Sequence, residues 1–426
     1  MDTALRKKET PLYQSVTPIN ATVRLCQGCD LPVRSRELSC GNNAYCPRCG
    51  TQLSRGGSPS LSGNLALAIT CLLLFIPAFI FPFISIHLLG VTFSATVPEG
   101  AWNLLRHGFP LLAILVLFCS VIAPIVLCAA LVVCHLALRY HWFGGMKLGT
   151  TIIYRLKPWA MIDVFLVSVA VACFKLNDYS DIIVGPALYA LIALQLLCVM
   201  LISRVSLRRY WEAWRPEHTF EHQSKERHCI ACHLSQPIGT HCQRCHQPLH
   251  YRKPRSLERT LAYLLAASVA IFPANLIPIS ILITNGQRLE DTIYSGVVSL
   301  FNSQMPGIAI IIFVASILVP MAKILGLGYL LMCAHWRKEH FQRQRMKIYF
   351  VVKMIGKWSM LDLFVISIML TLVDRGQILD FVPGLGAVAF GLVVFLTLLA
   401  TESLDSRLLW DNPSHSPTHS RSINER

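Results

Sequence analysis

The segment WAMIDVFLVS at residues 159–168 recurs as WSMLDLFVIS at residues 358–367, at an offset of 199 residues. Nearer the N-terminus, IPAFIFPFISIHLLG (76–90) matches FPANLIPISILITNG (272–286) at an offset of 196, with two prolines and the final glycine aligned. Four further prolines match in pairs at the offset of 196: Pro110 matches Pro306, and Pro124 matches Pro320. Self-similarity at a nearly fixed offset indicates an internal duplication, so two homologous halves are predicted.

The composition places the chain among membrane proteins. Hydrophobic residues make up 54% of the 426 residues and charged residues only 14%, which excludes an ordinary soluble enzyme. A helix needs about 20 apolar residues to cross the roughly 30 Å hydrocarbon core. Eight spans are predicted, four in each half: 65–89, 109–138, 159–176, 182–203, 261–284, 306–334, 358–373 and 382–401.

Basic residues are distributed unequally between the two sides of these spans. If residues 1–64 are cytoplasmic, 33 of the 38 Lys and Arg residues fall on the cytoplasmic side. Four fall on the other side, namely Arg106, Lys175, Arg288 and Arg375. This positive-inside pattern predicts an orientation with both termini and segment 204–260 in the cytosol. The net charge of +15 follows from this topology, so no nucleic-acid partner is predicted. The first 60 residues are polar and lack the charged, apolar and small-residue regions of a signal peptide, so no cleaved signal peptide is predicted.

Each half begins with four cysteines in a metal-ligand spacing. The first set is Cys26, Cys29, Cys46 and Cys49, and the second is Cys229, Cys232, Cys242 and Cys245. Two short C-x-x-C knuckles suit a closed tetrahedral Zn²⁺ site, and a small domain with little apolar core needs such a site in order to fold. Two zinc ions in two ribbons are therefore predicted, with iron or mixed histidine ligation as alternatives.

Three other interpretations of these cysteines fit less well. Disulfides are unexpected because the charge pattern makes both segments cytosolic. CIACH and CQRCH match the haem-attachment motif, but the first half has CQGCD and CPRCG instead, so His233 and His246 are interpreted as incidental. A thioredoxin-like pair would require a βαβ context, which is absent from the sequence pattern. Cys40 and the seven cysteines in the spans are interpreted as small apolar residues.

The predicted fold class is mostly α: a polytopic membrane protein with two tandem four-helix transmembrane modules in parallel orientation. An even number of spans in each half makes both modules enter the membrane in the same direction. The predicted domains are a flexible N-terminal tail (1–22), zinc ribbon 1 (23–58), transmembrane module 1 (59–210), zinc ribbon 2 (220–255), transmembrane module 2 (256–410) and a flexible C-terminal tail (411–426).

A short β element is predicted between the first two spans of each half. ILITNGQRLEDTIY (281–294) has two β-favouring runs around Asn285-Gly286, which is a strong hairpin signal. SIHLLGVTFSATV (85–97) is its weaker counterpart. These elements on the external side either support a partner protein or cover the helix ends.

Lys323 lies within the apolar run ILVPMAKILGLGYLL (317–331), whereas the matching residue of the first half is Leu127. A charge inside the membrane costs about 2.5 to 3.5 kcal/mol on insertion scales, so it normally serves a function. Pro320, Gly326 and Gly328 nearby favour a cavity. A polar groove in module 2 is therefore predicted, in which Lys323 pairs with Asp362; a purely structural ion pair is the alternative.

Further candidate transport residues extend this predicted groove: Ser316, Ser359, Ser367, Thr401 and Glu402. Local explanations exist for two acidic candidates. Ser359 and Asp362 have the spacing of a capping box at a helix start, and Glu402 falls in the last turn of its span, where it can be solvated. Lys323 has no comparably simple local explanation.

The paired ribbons, the WSMLDLF segment and the proline-rich first span together resemble the paraquat-inducible protein A family along the whole chain. The resemblance implies an inner-membrane protein of Gram-negative bacteria, and it assigns the eight C-x-x-C cysteines to the ribbons. It also implies a tunnel-forming periplasmic MCE-domain partner (LetB-like) and transport of phospholipid or a related amphiphile between the inner and outer membranes, in support of envelope integrity.

The functional hypothesis is that module 2 receives a lipid headgroup near Lys323 and passes the lipid to or from the periplasmic partner. No G-x-x-x-x-G-K-[ST] motif for ATP occurs in the sequence. A membrane anchor that only tethers the MCE partner is the alternative. An intramembrane enzyme is not predicted, because His87, His107 and His135 lie near the ends of the spans, away from any hydroxyl nucleophile.

Overall fold

The computed structural model describes residues 23–34, 38–39, 41–56, 60–88, 91–176, 181–215, 226–237, 239–284, 287–302, 306–336, 341–373 and 379–411. The predicted tails lie outside these residues, apart from Asp411. Ribbon 1 consists of two antiparallel hairpins, β1 (Val23–Leu25) with β2 (Pro32–Arg34), and β3 (Asn43–Tyr45) with β4 (Gln52–Arg55).

The described residues of module 1 form eight α-helices and a three-stranded sheet. Its first helix begins at a polar cap, since Oγ of Ser60 accepts a hydrogen bond of 3.0 Å from the amide of Gly63. In chain order the elements are α1 (Leu61–Ile80), β5 (Ile84–Leu88), β6 (Val91–Ala95), α2 (Val97–Arg106), α3 (Pro110–Leu117), α4 (Ala123–Tyr140), α5 (Phe143–Leu156), α6 (Ile162–Leu176), β7 (Asp181–Val184), α7 (Pro186–Arg204) and α8 (Leu207–Trp214).

Ribbon 2 and module 2 repeat this order. The ribbon has one hairpin, β8 (Glu226–His228) with β9 (Ser235–Pro237), and a bridge between His241 and Pro248. The module contains α9 (Ser256–Leu276), β10 (Ser280–Thr284), β11 (Gln287–Asp291), α10 (Ile293–Asn302), α11 (Pro306–Phe313), α12 (Val319–His335), α13 (Gln342–Ile355), α14 (Leu361–Val373), β12 (Leu379–Pro383) and α15 (Leu385–Ser403).

Six helical segments of the described chain are long and apolar enough to cross a membrane, which makes this a multi-pass membrane protein. They are Leu61–Ile80, Pro110–Tyr140, Pro186–Arg204, Ser256–Leu276, Ala309–His335 and Leu385–Ser403. The third predicted span of each half is shorter, because α6 has 15 residues and α14 has 13. At 1.5 Å per residue these helices are about 22 and 20 Å long.

The two short helices α6 and α14 pack against each other between the modules. Oγ of Ser168 donates a hydrogen bond of 3.0 Å to the carbonyl oxygen of Leu361. Phe165 and Phe364, which are equivalent residues 199 positions apart, have ring centroids 5.4 Å apart at an interplanar angle of 81°. Contact between equivalent residues is expected beside a twofold pseudosymmetry axis, in agreement with the predicted parallel duplication.

The predicted β elements are present, and each is larger than a hairpin. Strands β10 and β11 pair in register from Ser280 with Asp291 to Thr284 with Gln287, and the predicted turn residues Asn285 and Gly286 lie outside the described residues. A third strand from just before the last helix completes each sheet, in the orders β6-β5-β7 and β11-β10-β12. The ends of the modules that carry these sheets are called the sheet face, and the opposite ends the ribbon face.

A π-helical turn interrupts the second long helix of each half at equivalent positions, Phe118–Ile122 and Val314–Leu318. Pro124 and Pro320 follow these turns. Proline lacks an amide hydrogen and its ring crowds the preceding turn, so the wider turn accommodates it without breaking the helix. Lys323 lies one turn after this irregularity in module 2.

Candidate functional site

Each ribbon gathers its four cysteines into one buried cluster. In both clusters the four Sγ atoms lie within 4.8 Å of one another. In ribbon 1, Sγ of Cys26 is 3.4 Å from that of Cys49, and in ribbon 2, Sγ of Cys232 is 3.4 Å from that of Cys242. Four buried sulfurs at such distances fit a tetrahedral metal ion with metal–sulfur bonds of about 2.3 Å, so each cluster could hold one metal ion.

The residue after the second cysteine of each knuckle has a left-handed backbone. The φ angles are 56° for Asp30, 74° for Gly50, 58° for His233 and 53° for His246. At each of these positions the amide donates to the carbonyl oxygen of the first cysteine of the knuckle, at 2.9 to 3.0 Å. The two histidines therefore take the same turn position as Asp30 and Gly50, which accounts for the C-x-x-C-H pattern without haem.

Histidines do not join the cysteine clusters among the described residues. Nδ1 of His233 lies 3.1 Å from Nε2 of His228, and the two rings stack at a centroid distance of 5.2 Å. Burial, together with the charges of Arg208 and Lys157, lowers the pKa of His233 to about 4. The stacked pair supports ribbon 2 by packing.

Ribbon 1 packs mainly on module 2. The cysteines of ribbon 1 share an apolar cluster with Leu330, Met346 and Trp410, and the guanidinium of Arg48 lies 4.6 Å from the ring centroid of Trp410. Contacts with module 1 are polar and peripheral, such as the 3.2 Å ion pair between Arg24 and Glu212 on α8.

Ribbon 2 packs mainly on module 1, so the docking is crossed. The ring of His246 packs against Phe143 at a centroid distance of 5.4 Å, and Nε2 of Gln247 lies 3.4 Å from Oγ1 of Thr151 on α5. The two ribbons also contact each other, because the amide of Leu25 donates to Oγ of Ser235 at 3.1 Å.

A network of partly buried charges joins Asp30 of ribbon 1 to Arg252 and to the segment that follows α15. The guanidinium of Arg252 bonds to the carboxylates of Asp30 and Asp411, and Arg407 bonds to Asp405 at 2.8 Å while it lies 3.7 Å from Asp30. Burial raises the pKa of Asp405, but the hydrogen bonds and charge of Arg407 outweigh it and hold that pKa below its usual value. We call these five residues the charged clasp.

Lys323 is almost completely buried, with 1% of its surface exposed. Its Nζ atom donates to Oγ1 of Thr397 at 2.7 Å, to Oγ of Ser359 at 3.4 Å and to the carbonyl oxygen of Gly356 at 3.5 Å. Gly356 terminates α13, and the carbonyl end of a helix carries partial negative charge. Hydroxyls and a helix end therefore hold the ammonium group.

The pairing of Lys323 with Asp362 stays a prediction. Asp362 is half-buried in the first turn of α14, directly after the turn that carries Ser359. Ser359 is the predicted residue that the fold does bring to Lys323, because the short 3₁₀ turn Trp358–Met360 directs it between α13 and α14.

The other predicted transport residues lie on the π-helical turn, on α14 and on α15. Oγ1 of Thr401 donates to the carbonyl oxygen of Thr397 at 2.8 Å, and Glu402 forms a 3.4 Å ion pair with Lys353 at the ribbon face. Ser316 lies buried in the π-helical turn, and its Oγ has no hydrogen-bond partner among the described residues. Ser367 is buried on α14.

Thr397 was missed by the sequence analysis, although a signal for it exists. Under the offset of 199 its equivalent is Cys198, so this position is hydroxyl-bearing in one half and thiol-bearing in the other. The same comparison of halves identified Lys323 against Leu127. Thr397 lies six residues before Ser403, which places it roughly 9 Å from the end of α15.

A cavity of about 270 Å³ lies between α12 and α13, beside Lys323. Its walls are largely aliphatic and include two lysines; the lining residues are Ala322, Lys323, Gly326, Lys347, Ile348, Val351, Val352 and Ile355. Val351 is 47% exposed, so the cavity reaches the surface of the module. We call this space the Lys323 cavity.

The two modules also match a known family. The family model described as "Paraquat-inducible protein A" matches residues 61–215 and again residues 257–414. These two ranges coincide with the transmembrane modules and support the duplication. No solved structure matches the chain significantly.

Three similar proteins cover nearly the whole chain. "Lipophilic envelope-spanning tunnel protein A" of Escherichia coli (strain K12) is 40% identical over 394 residues, covering 91% of this chain and 90% of that protein. "Probable intermembrane transport protein" of Haemophilus influenzae is 34% identical, covering 90% and 95%. "Intermembrane transport protein PqiA" of Escherichia coli (strain K12) is 30% identical, covering 92% and 96%.

Proposed function

This chain belongs to the paraquat-inducible protein A family, and on that premise we propose that it is the inner-membrane component of a lipid transport system between the inner and outer membranes. In this proposal both termini and both ribbons are cytoplasmic, and each ribbon holds one Zn²⁺ ion. The sheet face then meets a periplasmic MCE-domain tunnel protein, to or from which lipid passes. The relatives are named as tunnel or intermembrane transport proteins rather than as enzymes, which supports this class of function.

The observation that carries the proposal is the buried ammonium of Lys323 beside an aliphatic cavity. Its described partners are two hydroxyls and one carbonyl oxygen, all uncharged. A buried cation without a counter-charge is costly unless a ligand or a change of protonation neutralises it. The phosphate of a lipid headgroup supplies such a counter-charge.

The shape of the Lys323 cavity suits part of an amphiphile. Aliphatic side chains on α12 and α13 provide an apolar wall for an acyl chain, and Lys347 lies exposed at the rim, where it can meet a headgroup. A volume of about 270 Å³ is smaller than a whole phospholipid, so a lipid would enter it only in part. Lipid would thus pass along module 2, with Lys323, Ser359 and Thr397 in contact with its polar end and the remaining predicted residues around them.

The transport energy would come from the lipid gradient, the proton gradient or a partner protein, since the sequence has no P-loop. The alternative is a scaffold that tethers the MCE partner without handling lipid. In a scaffold, the polar contacts of Lys323 would serve folding alone.

Growth of cells that depend on this pathway tests the proposal. Lys323→Met keeps the aliphatic stem and removes the charge, so we expect normal protein levels and loss of complementation. Gly328→Ala on the same helix is the matched control, because its new Cβ would lie 3.7 Å from the nearest side-chain atom, in ordinary contact. Full growth of the Lys323→Met strain would support the scaffold instead.

A further inference from the structure

Three cysteines of module 1, each from a different helix, meet in the interior of the membrane region. Cys71 lies on α1, Cys128 on α4 and Cys198 on α7, and their Sγ atoms all lie within 4.8 Å of one another. The Sγ atoms of Cys71 and Cys198 are 3.9 Å apart. The three residues are 0%, 1% and 4% exposed. They form one enclosed sulfur cluster remote from both ribbons.

This cluster occupies the place in module 1 that corresponds to the Lys323 site in module 2. Helices α1, α4 and α7 correspond to α9, α12 and α15, and Cys198 is the equivalent of Thr397. Cys128 directly follows Leu127, the equivalent of Lys323. The same location in the duplicated fold therefore carries hard oxygen and nitrogen groups in one half and soft sulfur groups in the other.

We propose that Cys71, Cys128 and Cys198 form a binding site for one soft monovalent metal ion, Cu(I), held by three sulfur atoms. Thiolate sulfur selects Cu(I), Zn²⁺ and iron–sulfur clusters among the metals common in proteins. Zn²⁺ in structural sites takes four ligands, as the ribbons provide, whereas this cluster has three among the described residues. Metal–sulfur bonds of about 2.3 Å in a planar triangle require sulfurs about 4 Å apart, close to the observed 3.9 Å.

Binding of Cu(I) at this cluster releases protons. A thiol that coordinates a metal ion is deprotonated, so the cysteine sulfurs bind as thiolates and their protons pass to the solvent.

Copper binding to the full-length, zinc-loaded protein in detergent tests this site. The probe is Cu(I) buffered by a competing chelator under anaerobic conditions, with copper and zinc counted per chain. We expect one copper per chain without loss of zinc, and X-ray absorption that reports three sulfur neighbours at about 2.3 Å. Copper uptake accompanied by an equal loss of zinc would place the ion in the ribbons and overturn the proposal.

Two variants make the assignment specific. Cys198→Thr introduces the residue that module 2 carries at the equivalent position, so the helix packing is expected to tolerate it, and copper binding should fall from one ion to none. Cys333→Ala, which removes a buried thiol of α12 outside the cluster, should retain one ion. Equal copper binding by wild type and Cys198→Thr, or no binding by wild type, would show that the three thiols serve only as small packing groups.

Discussion

Nζ of Lys323 lies 2.7 Å from Oγ1 of Thr397, whereas the equivalent residues of the other half, Leu127 and Cys198, carry no charge and no hydroxyl. The duplicated fold therefore forms without this polar contact. Its presence in module 2 alone supports the proposed role in handling a ligand.

Thr397→Val tests the importance of this hydroxyl. Valine has a nearly equal shape but leaves the buried ammonium with one acceptor fewer, which costs about 1 to 3 kcal/mol. We expect reduced transport-dependent growth at normal protein levels. Thr401→Val removes a hydroxyl that donates to the carbonyl oxygen of Thr397 rather than to Lys323, so its effect should be smaller. Equal effects of the two variants would count against a special role for Thr397.

The Lys323 cavity depends on a close approach of α12 and α13 at Gly326. A Cβ atom at Gly326 would lie 2.9 Å from Cγ2 of Val352, a β-branched side chain that cannot easily move aside. We expect Gly326→Ala to displace the cavity wall and reduce lipid binding, measured as phospholipid that co-purifies with the protein. Gly328→Ala should bind lipid as wild type does and gain up to about 1 kcal/mol of helix stability.

The crossed docking of the ribbons predicts which module becomes less stable when a ribbon loses its metal ion. Removing one ligand should unfold a ribbon, since structural zinc contributes on the order of 10 kcal/mol to the folding of such domains. Cys29→Ser should raise hydrogen–deuterium exchange in α13 of module 2, and Cys232→Ser should raise it in α5 of module 1. The opposite assignment, with each variant loosening the module that follows it in sequence, would contradict the observed packing.

The charged clasp predicts a pH-dependent contribution to stability. Because the pKa of Asp405 is lower in the folded protein than in the unfolded chain, its contribution is complete above the unfolded value of about 3.9 and is lost as the pH falls through the folded value. Asp405→Asn should lower stability at pH 7 by about 1.5 to 3 kcal/mol. In thermal unfolding the difference from wild type should shrink as the pH falls below about 4, because Asp405 of the unfolded chain becomes protonated there, whereas the folded carboxylate stays ionised down to its lower pKa. A constant difference across this range would argue against an ionised Asp405.

Much of the architecture follows from the sequence, because the duplication and the apolar segments are local or periodic signals. The sequence alone predicts the repeat, the two cysteine clusters and the β-hairpins, and it identifies Lys323 as unusual. The third strands β7 and β12 were not predicted, since each is short and pairs with a strand about a hundred residues away. Helices α6 and α14 end where the predicted spans end and begin three residues later, at Ile162 and Leu361.

The environment of Lys323 was only partly predictable. Charge favours Asp362 as its partner, and that pair stays a prediction, whereas the structure shows hydroxyls of Ser359 and Thr397 as acceptors from the ammonium. No sequence pattern singled out Thr397, because a single threonine in an apolar helix is common. Crossed docking of the ribbons depends on tertiary packing between segments that are far apart in the chain, so no local pattern reports it.

Photocrosslinking in living cells tests most directly whether lipid enters the Lys323 cavity. A photoreactive residue at Val351, in the cavity wall, should become labelled by ³²P-phospholipid, and Lys323→Met should remove most of that label. The same residue at Leu265, which is 58% exposed on the outer surface of α9, should be labelled in both backgrounds. Absence of label at position 351, or labelling there that Lys323→Met leaves unchanged, would contradict the account of Lys323 as a lipid-contacting residue.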